Sequence, residues 1–283
     1  MPTFATPEPI TAALETVTGR VLVRASDRAD TVVQVRPADP AEDADVKAAE
    51  ETRVEYADGH LSVRSPKYAL RSLFGRYPSV DMTIELPAGS SVDARGNAEF
   101  RSEGRLGESS FAIGGGAVRL DRTGRLKIRT GAGDVTLGRA DGPVEVTTAA
   151  GRVRIGAVDG TAVVKTSSGD ITVGEITGDA RLNTAHGDVT VERALAALVA
   201  RTAFGGVRVG EAVRGAIVLE TRFGEIEIGV AAGVPAWLDV ASKHGLVRSD
   251  LAPADRPDPS AADLEPVEVR ANTGYGDIVI HRA

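Results

Sequence analysis

The stretch TSSGDITVG, residues 166–174, decides the fold, because relatives of it recur at nearly fixed distance along the chain. They are TGAGDVTLG (130–138), TAAGRVRIG (148–156), TAHGDVTVE (184–192), TAFGGVRVG (202–210) and TRFGEIEIG (221–229). Their glycines, Gly133, Gly151, Gly169, Gly187, Gly205 and Gly224, are separated by 18, 18, 18, 18 and 19 residues. A period held that tightly marks a stacked repeat.

After Gly169, Ile171 and Val173 alternate with Asp170, Thr172 and Gly174, which puts the two aliphatics on one face of a strand. The equivalent pairs are Val135/Leu137, Val153/Ile155, Val189/Val191, Val207/Val209 and Ile226/Ile228. A second alternating set follows: Val144/Val146, Ala162/Val164, Ala180/Leu182, Leu198/Ala200 and Ile217/Leu219. Between the two sets lies one apolar position, Ala140, Val158, Ile176, Ala194 or Ala212, near glycine corners. One such turn cannot bury its own apolar face, whereas stacked turns do so continuously. The pattern therefore predicts an all-β fold: a single-chain parallel β-solenoid with coils of about 18 residues. Right-handed winding is favoured, as in parallel crossovers generally. A left-handed helix of three hexapeptides per coil is the rival. Thr130, Thr148, Thr166, Thr184, Thr202 and Thr221 form a column whose hydroxyls are suited to bond turn backbone.

Outside the regular repeats, residues 1–92 read as an N-terminal cap of strands with one short helix, and 93–283 as the solenoid. Strands are expected at 11–17 and 20–26, which flank Gly19, and at 31–37; the helix is expected at 41–51. Asp58-Gly59 predicts a hairpin turn between strands at 52–56 and 61–64. Residues 66–78, with Tyr68, Phe74 and Tyr77, read as an aromatic flap over the open end of the solenoid. In the first irregular coils Gly115 stands 18 before Gly133. After Gly224 the spacing loosens to Gly245 and Gly276, and the acidic, proline-rich 252–266 reads as a loop bulging from the stack. A capped N-terminal end beside an uncapped C-terminal end would favour a dimer through the latter.

Aromatic residues make up only 4% of the chain, while glycine and β-branched residues abound, which favours many thin layers over one thick core. A net charge of −7 with no basic block argues against nucleic acid as a partner. The absence of cysteine excludes disulfides and thiolate metal sites. The opening MPTFATPEPI lacks a basic leader and an apolar core, and no apolar run is long enough to span a bilayer. The expectation is a soluble cytoplasmic protein without membrane insertion.

The tandem G-[DE]-[VI]-x-[VI]-G phrases, DGTAVVKTSSGDITVGEITGD (159–179) and the ending TGYGDIVIHRA resemble the bacterial β-strand-repeat putative adhesin family of domains of unknown function. The segments MPTFATPEPI and SDRADTVVQVRPADP (26–40) look like an actinobacterial, streptomycete-like branch of it. The resemblance covers essentially the whole chain. It implies a β-helical fold and brings no catalytic residues.

Asp134, Asp170 and Asp188 recur on the outer face, as carboxylates do in β-helical polysaccharide-active enzymes, but Arg152 and Gly206 interrupt the column. A turn-forming and charge-pairing role, with Arg152 and Arg154 beside Asp134 and Asp170, explains them better than catalysis. His60, His186, His244 and His281 have no partners at metal-ligand spacing, and no nucleophile elbow or phosphate loop is present. The reading is a non-enzymatic binding scaffold that needs no cofactor or metal. Its alternatives are a self-assembling β-helix of the bactofilin kind and, less favoured, a polysaccharide-active enzyme.

The position before each repeat glycine is occupied by Ala132, Ala150, Ser168, His186, Phe204, Phe223, His244 and Tyr275. Successive coils would bring the later residues within stacking distance. One reading is a ladder that stiffens a corner. The other is a contact surface at His186, Phe204, Phe223, His244 and Tyr275 for a partner protein, a glycan or a second copy of the chain. Histidines at its ends would make such binding sensitive to pH near neutrality.

Overall fold

The computed structural model describes residues 1–66, 77–251 and 266–283, and divides into two units, Met1–Asp141 and Gly142–Ala283. The expected flap at 66–78 and the expected loop at 252–266 fall almost wholly on 67–76 and 252–265, outside the described residues.

The first unit begins with β1 (Thr3–Ala5), β2 (Thr11–Ser26) and β3 (Asp30–Pro37). Helix α1 (Asp43–Glu51) follows, then β4 (Arg53–Ala57), β5 (His60–Arg64) and β6 (Val80–Pro87). The strands expected at 11–17 and 20–26 are one continuous strand, because Gly19 at φ 127° lets the chain pass the corner without breaking its ladder. β2 lies parallel to β7 (Ser91–Glu103), with Thr11 opposite Ser91, although 80 residues separate them. β8 (Ser109–Gly115), β9 (Val118–Thr123), β10 (Leu126–Ala132) and β11 (Val135–Ala140) continue the parallel pairing. From β8 to β10 and from β9 to β11 the step is 17 residues rather than 18. Ala132 lies opposite Gly115, so Gly116, at φ 120°, is the equivalent of Gly133.

On its other edge β2 carries β5 and β6, and antiparallel strands then end the parallel stack: β4 on β5, β3 on β6, and β1 on β3. The predicted hairpin is present, with Asp58 at φ 49° and Gly59 at φ 77°. α1 packs against β3 and β6. Its buried Asp45 accepts hydrogen bonds from the backbone N–H groups of Asp39 and Ser79 at 3.1 and 2.8 Å, which ties the helix to both flanking segments.

At the last corner of this unit Asp141 accepts from Arg122 at 2.7 Å and Arg139 at 3.2 Å, with Arg105 at 3.4 Å. The Arg122 hydrogen bond, more than the opposing desolvation, holds the Asp141 carboxyl below its ordinary value. A depressed carboxyl pKa contributes stability that is present above the unfolded value, about 3.9, and lost as pH falls through the folded one. Asp141→Asn is therefore expected to lower stability at pH 7 and to leave it less changed near pH 3. The arginines are half-exposed, so the loss should be under about 1 kcal/mol; equal destabilisation at both pH values in urea titrations would contradict this.

In the second unit each coil contributes two strands that meet at a glycine corner. They are β12 (Val144–Ala150) with β13 (Val153–Val158), and β14 (Ala162–Ser168) with β15 (Ile171–Ile176). Next come β16 (Ala180–Asn183) with β17 (Val189–Ala194), and β18 (Leu198–Arg201) with β19 (Val207–Ala212). β20 (Gly215–Phe223) with β21 (Ile226–Val230) and β22 (Ala236–His244) with β23 (Val247–Ser249) follow, and β24 (Val267–Tyr275) with β25 (Ile278–Arg282) closes the chain. The 18-residue register is explicit: Ile171 lies opposite Val153 on one side and Val189 on the other. Ile171, Val173, Ile176, Ala180 and Leu182 are all buried, as the alternation predicts.

The order of coils departs from the order of the chain. β24 pairs with β20 on one edge and β22 on the other, and β25 likewise lies between β21 and β23. The chain thus adds the coil of β22 and β23 first and then slips β24 and β25 beneath it. Among the described residues the outermost coil is 236–249, not the C-terminal one.

Candidate functional site

The five ring positions singled out in the sequence come together at one corner of the second unit. His186 stacks on Phe204 (centroids 5.0 Å apart, planes at 6°), Phe204 on Phe223 (5.1 Å, 7°) and Phe223 on Tyr275 (5.0 Å, 8°). Tyr275 then stacks on His244 (4.5 Å, 15°). The order is His186, Phe204, Phe223, Tyr275, His244, so the inserted coil places Tyr275 ahead of His244 while both histidines remain at the ends.

Backbone geometry explains the register. The N–H groups of Gly187, Gly205, Gly224 and Gly276 donate to the carbonyls of Phe204, Phe223, Tyr275 and His244, at 2.8 to 3.1 Å. Each ring residue is thereby pinned one coil spacing from the next, and that spacing is a stacking distance. The threonine column acts on the same corner. Thr184, Thr202, Thr221 and Thr273 donate to the carbonyls of Gly169, Gly187, Gly205 and Gly224 at 2.8–3.1 Å, and Ser242 does the same to Gly276. The rings themselves project outward. Phe204, Phe223 and Tyr275 are 47%, 41% and 51% exposed, and His186 and His244 are exposed as well.

The carboxylates that follow the repeat glycines are used by the scaffold. Asp170 accepts from the backbone N–H of Asp188 at 3.0 Å, and Asp188 from that of Gly206 at 2.7 Å. Asp277 accepts from Leu246 N–H at 2.9 Å. Each thus bonds the backbone of the neighbouring coil, a role the sequence pattern had left between turn formation and charge pairing. In the shallow cleft beside them, lined by Asp188, Thr190, Arg208, Glu225 and Glu227, Arg208 pairs with Glu227 at 3.3 Å, and His281 Nε2 lies 3.3 Å from the same carboxylate. Among the described residues no group of three His, Asp or Glu side chains is placed to hold a metal ion, and no helix is long and apolar enough to cross a membrane. What the sequence reading missed is Trp237, 53% exposed on the outermost coil; its signal was a lone tryptophan at an outward position of an alternating strand.

No curated protein matches the chain in sequence. Solved structures similar to it include a putative adhesin from Bacteroides fragilis, 13% identical across all of this chain and 95% of that one, with a TM-score of 0.42. A putative adhesin from Parabacteroides distasonis is 12% identical over 98% of this chain and 95% of its own, with a TM-score of 0.32. A putative lipid binding protein from the same species is 10% identical over 100% and 95%, again with a TM-score of 0.32. The model of the Toastrack DUF4097 family, a domain of unknown function, matches residues 14–256, and the chain belongs to that family.

Proposed function

We propose that this protein is a non-enzymatic β-solenoid scaffold that binds a partner protein through the ring ladder of the second unit. The observation that carries the reading is the exposure of five stacked rings in a chain so poor in aromatics. Offset stacking of aromatic rings is worth roughly 0.5–1.5 kcal/mol per pair beyond burial, so the ladder also stiffens the corner. Stiffening alone does not require large apolar rings at a solvent-facing turn.

The stacking also selects among partners. Ring faces are consumed within the ladder, and ring edges are what it shows to solvent. A glycan packs its C–H face on an aromatic face, which the inner rings no longer offer. Positively polarised edges suit aromatic faces and carbonyl oxygens, which a protein surface supplies. The engagement of Asp170 and Asp188 with backbone supports a role without catalysis.

Phe204→Ser with Phe223→Ser is the test, with cross-linked partners identified in the native host and a glycan array run in parallel. We expect a defined protein partner to be lost while the fold persists with a melting temperature lowered by a few degrees. Unchanged partner recovery would reduce the ladder to structure, and glycan binding abolished by the same pair would overturn the choice of partner. Turnover of a polysaccharide that Asp170→Asn abolishes would overturn the non-catalytic reading.

A further inference from the structure

The outermost coil of the second unit is built like an inner one and is covered on one side only. Among the described residues β22 pairs with β24 alone and β23 with β25 alone, so no strand lies along their outer edges. The inward column shows the same lack of cover. Val247 is 44% exposed, whereas Ile278, its partner one coil below, is fully buried. Leu238 and Val240 are half-buried where Val269 and Ala271 beneath them are buried, and Leu246 is exposed as well. An unpaired edge joined to an open apolar column is a template for another strand.

The charges on that edge favour one occupant. Along the outward face of β22 stand Trp237, Asp239, Ala241 and Lys243. If a second β22 pairs antiparallel about a two-fold axis at Ala241, Asp239 of each copy falls opposite Lys243 of the other. The same register sets Trp237 opposite Gly245, where no side chain competes for space, and keeps the smallest of the four side chains on the axis. Such self-complementarity is what an isologous contact demands. The intervening segment 252–265 does not have the composition of a ladder strand. It carries Pro253, Pro257 and Pro259, which cannot donate to a ladder, four carboxylates, and Leu264 as its only large aliphatic.

We propose that the chain forms a two-fold dimer by antiparallel pairing of β22 with β22 of a second copy, centred on Ala241 and held in register by reciprocal Asp239–Lys243 pairs. Ultracentrifugation of the full chain, with the emission of its single tryptophan followed against concentration, should show a dimer and a blue shift on association. Lys243→Asp alone and Asp239→Lys alone each set like charges opposite one another and should weaken the dimer by about tenfold or more. The double exchange should restore it, and the two single variants should form a heterodimer when mixed. A monomer at all concentrations with unchanged emission would overturn the proposal. So would a dimer indifferent to the single reversals, or one that the double exchange fails to rescue. Dimerisation that appears only after 252–265 is replaced by a Gly-Ser linker would show instead that this segment occupies the edge. Asp239 and Lys243 carry no ring of the ladder, so these variants test assembly apart from partner binding.

Discussion

Ile171→Asp should leave the second unit unable to fold, while Thr172→Asp, one residue away, should change its stability by no more than about 0.5 kcal/mol. Ile171 is fully buried, between Val153 and Val189 of the neighbouring coils. Its removal forfeits roughly 1.5–3 kcal/mol of burial, and the incoming carboxylate has no partner in an apolar column, which costs several kcal/mol more. Together these approach the whole stability of an ordinary domain, about 5–15 kcal/mol. Thr172 points outward beside Arg154, so an aspartate there stays hydrated and gains an opposite charge. Soluble yield, circular dichroism and urea unfolding of the two variants read the difference. Equal tolerance would mean that the two faces of the strand have been assigned the wrong way round.

Gly169→Ala is the second large effect, with an expected loss of about 3–5 kcal/mol, the sum of a strained backbone and an overpacked corner. Gly169 sits at φ 138°, where a residue with a side chain is disfavoured whatever the space around it. A Cβ there would also lie 2.1 Å from the carbonyl oxygen of Gly151 and 2.6 Å from its carbonyl carbon. Those atoms are backbone of the adjacent coil and cannot move aside without breaking its ladder. Gly59 supplies the control. It too has positive φ, 77°, but a Cβ would meet nothing within 4 Å, so Gly59→Ala should cost about 1–2 kcal/mol of backbone strain alone. Comparable losses at the two sites would show that close approach between coils, as distinct from the turn itself, does not restrict the corner.

Much of this protein was legible in its sequence because a solenoid makes residue environments depend on near neighbours at one fixed spacing. In the regular coils of the second unit, knowing that Ile171 sits on the same face as Val173 fixes what it meets: the residues 18 before and 18 after. The burial of the aliphatic pairs, the bonding of the threonine hydroxyls to turn backbone and the stacking of His186, Phe204 and Phe223 follow from that local rule, and the Asp58-Gly59 hairpin was legible from turn chemistry alone.

The rule is silent wherever the chain leaves the period, and there the tertiary structure decided. Nothing in the alternation of β2 shows that it pairs with β7 at a separation of 80 residues, or that β5 and β6 occupy its other edge, because any alternating strand satisfies any other. The same degeneracy hid the order of the last coils. Both 236–249 and 267–282 carry the inward pattern, and only their packing shows which is inside. β24 and β25 bring Val267, Val269, Ala271, Ile278 and Ile280, all buried against coils on both sides. The coil of β22 and β23 has Ser249 where β25 has Ile280 and Ala236 where β24 has Val267, so it loses less by lying at the end. The role of the carboxylates was decided at the same level. The period placed Asp170 and Asp188 in one column, but the backbone N–H groups they accept from come within reach only when the coils close on one another.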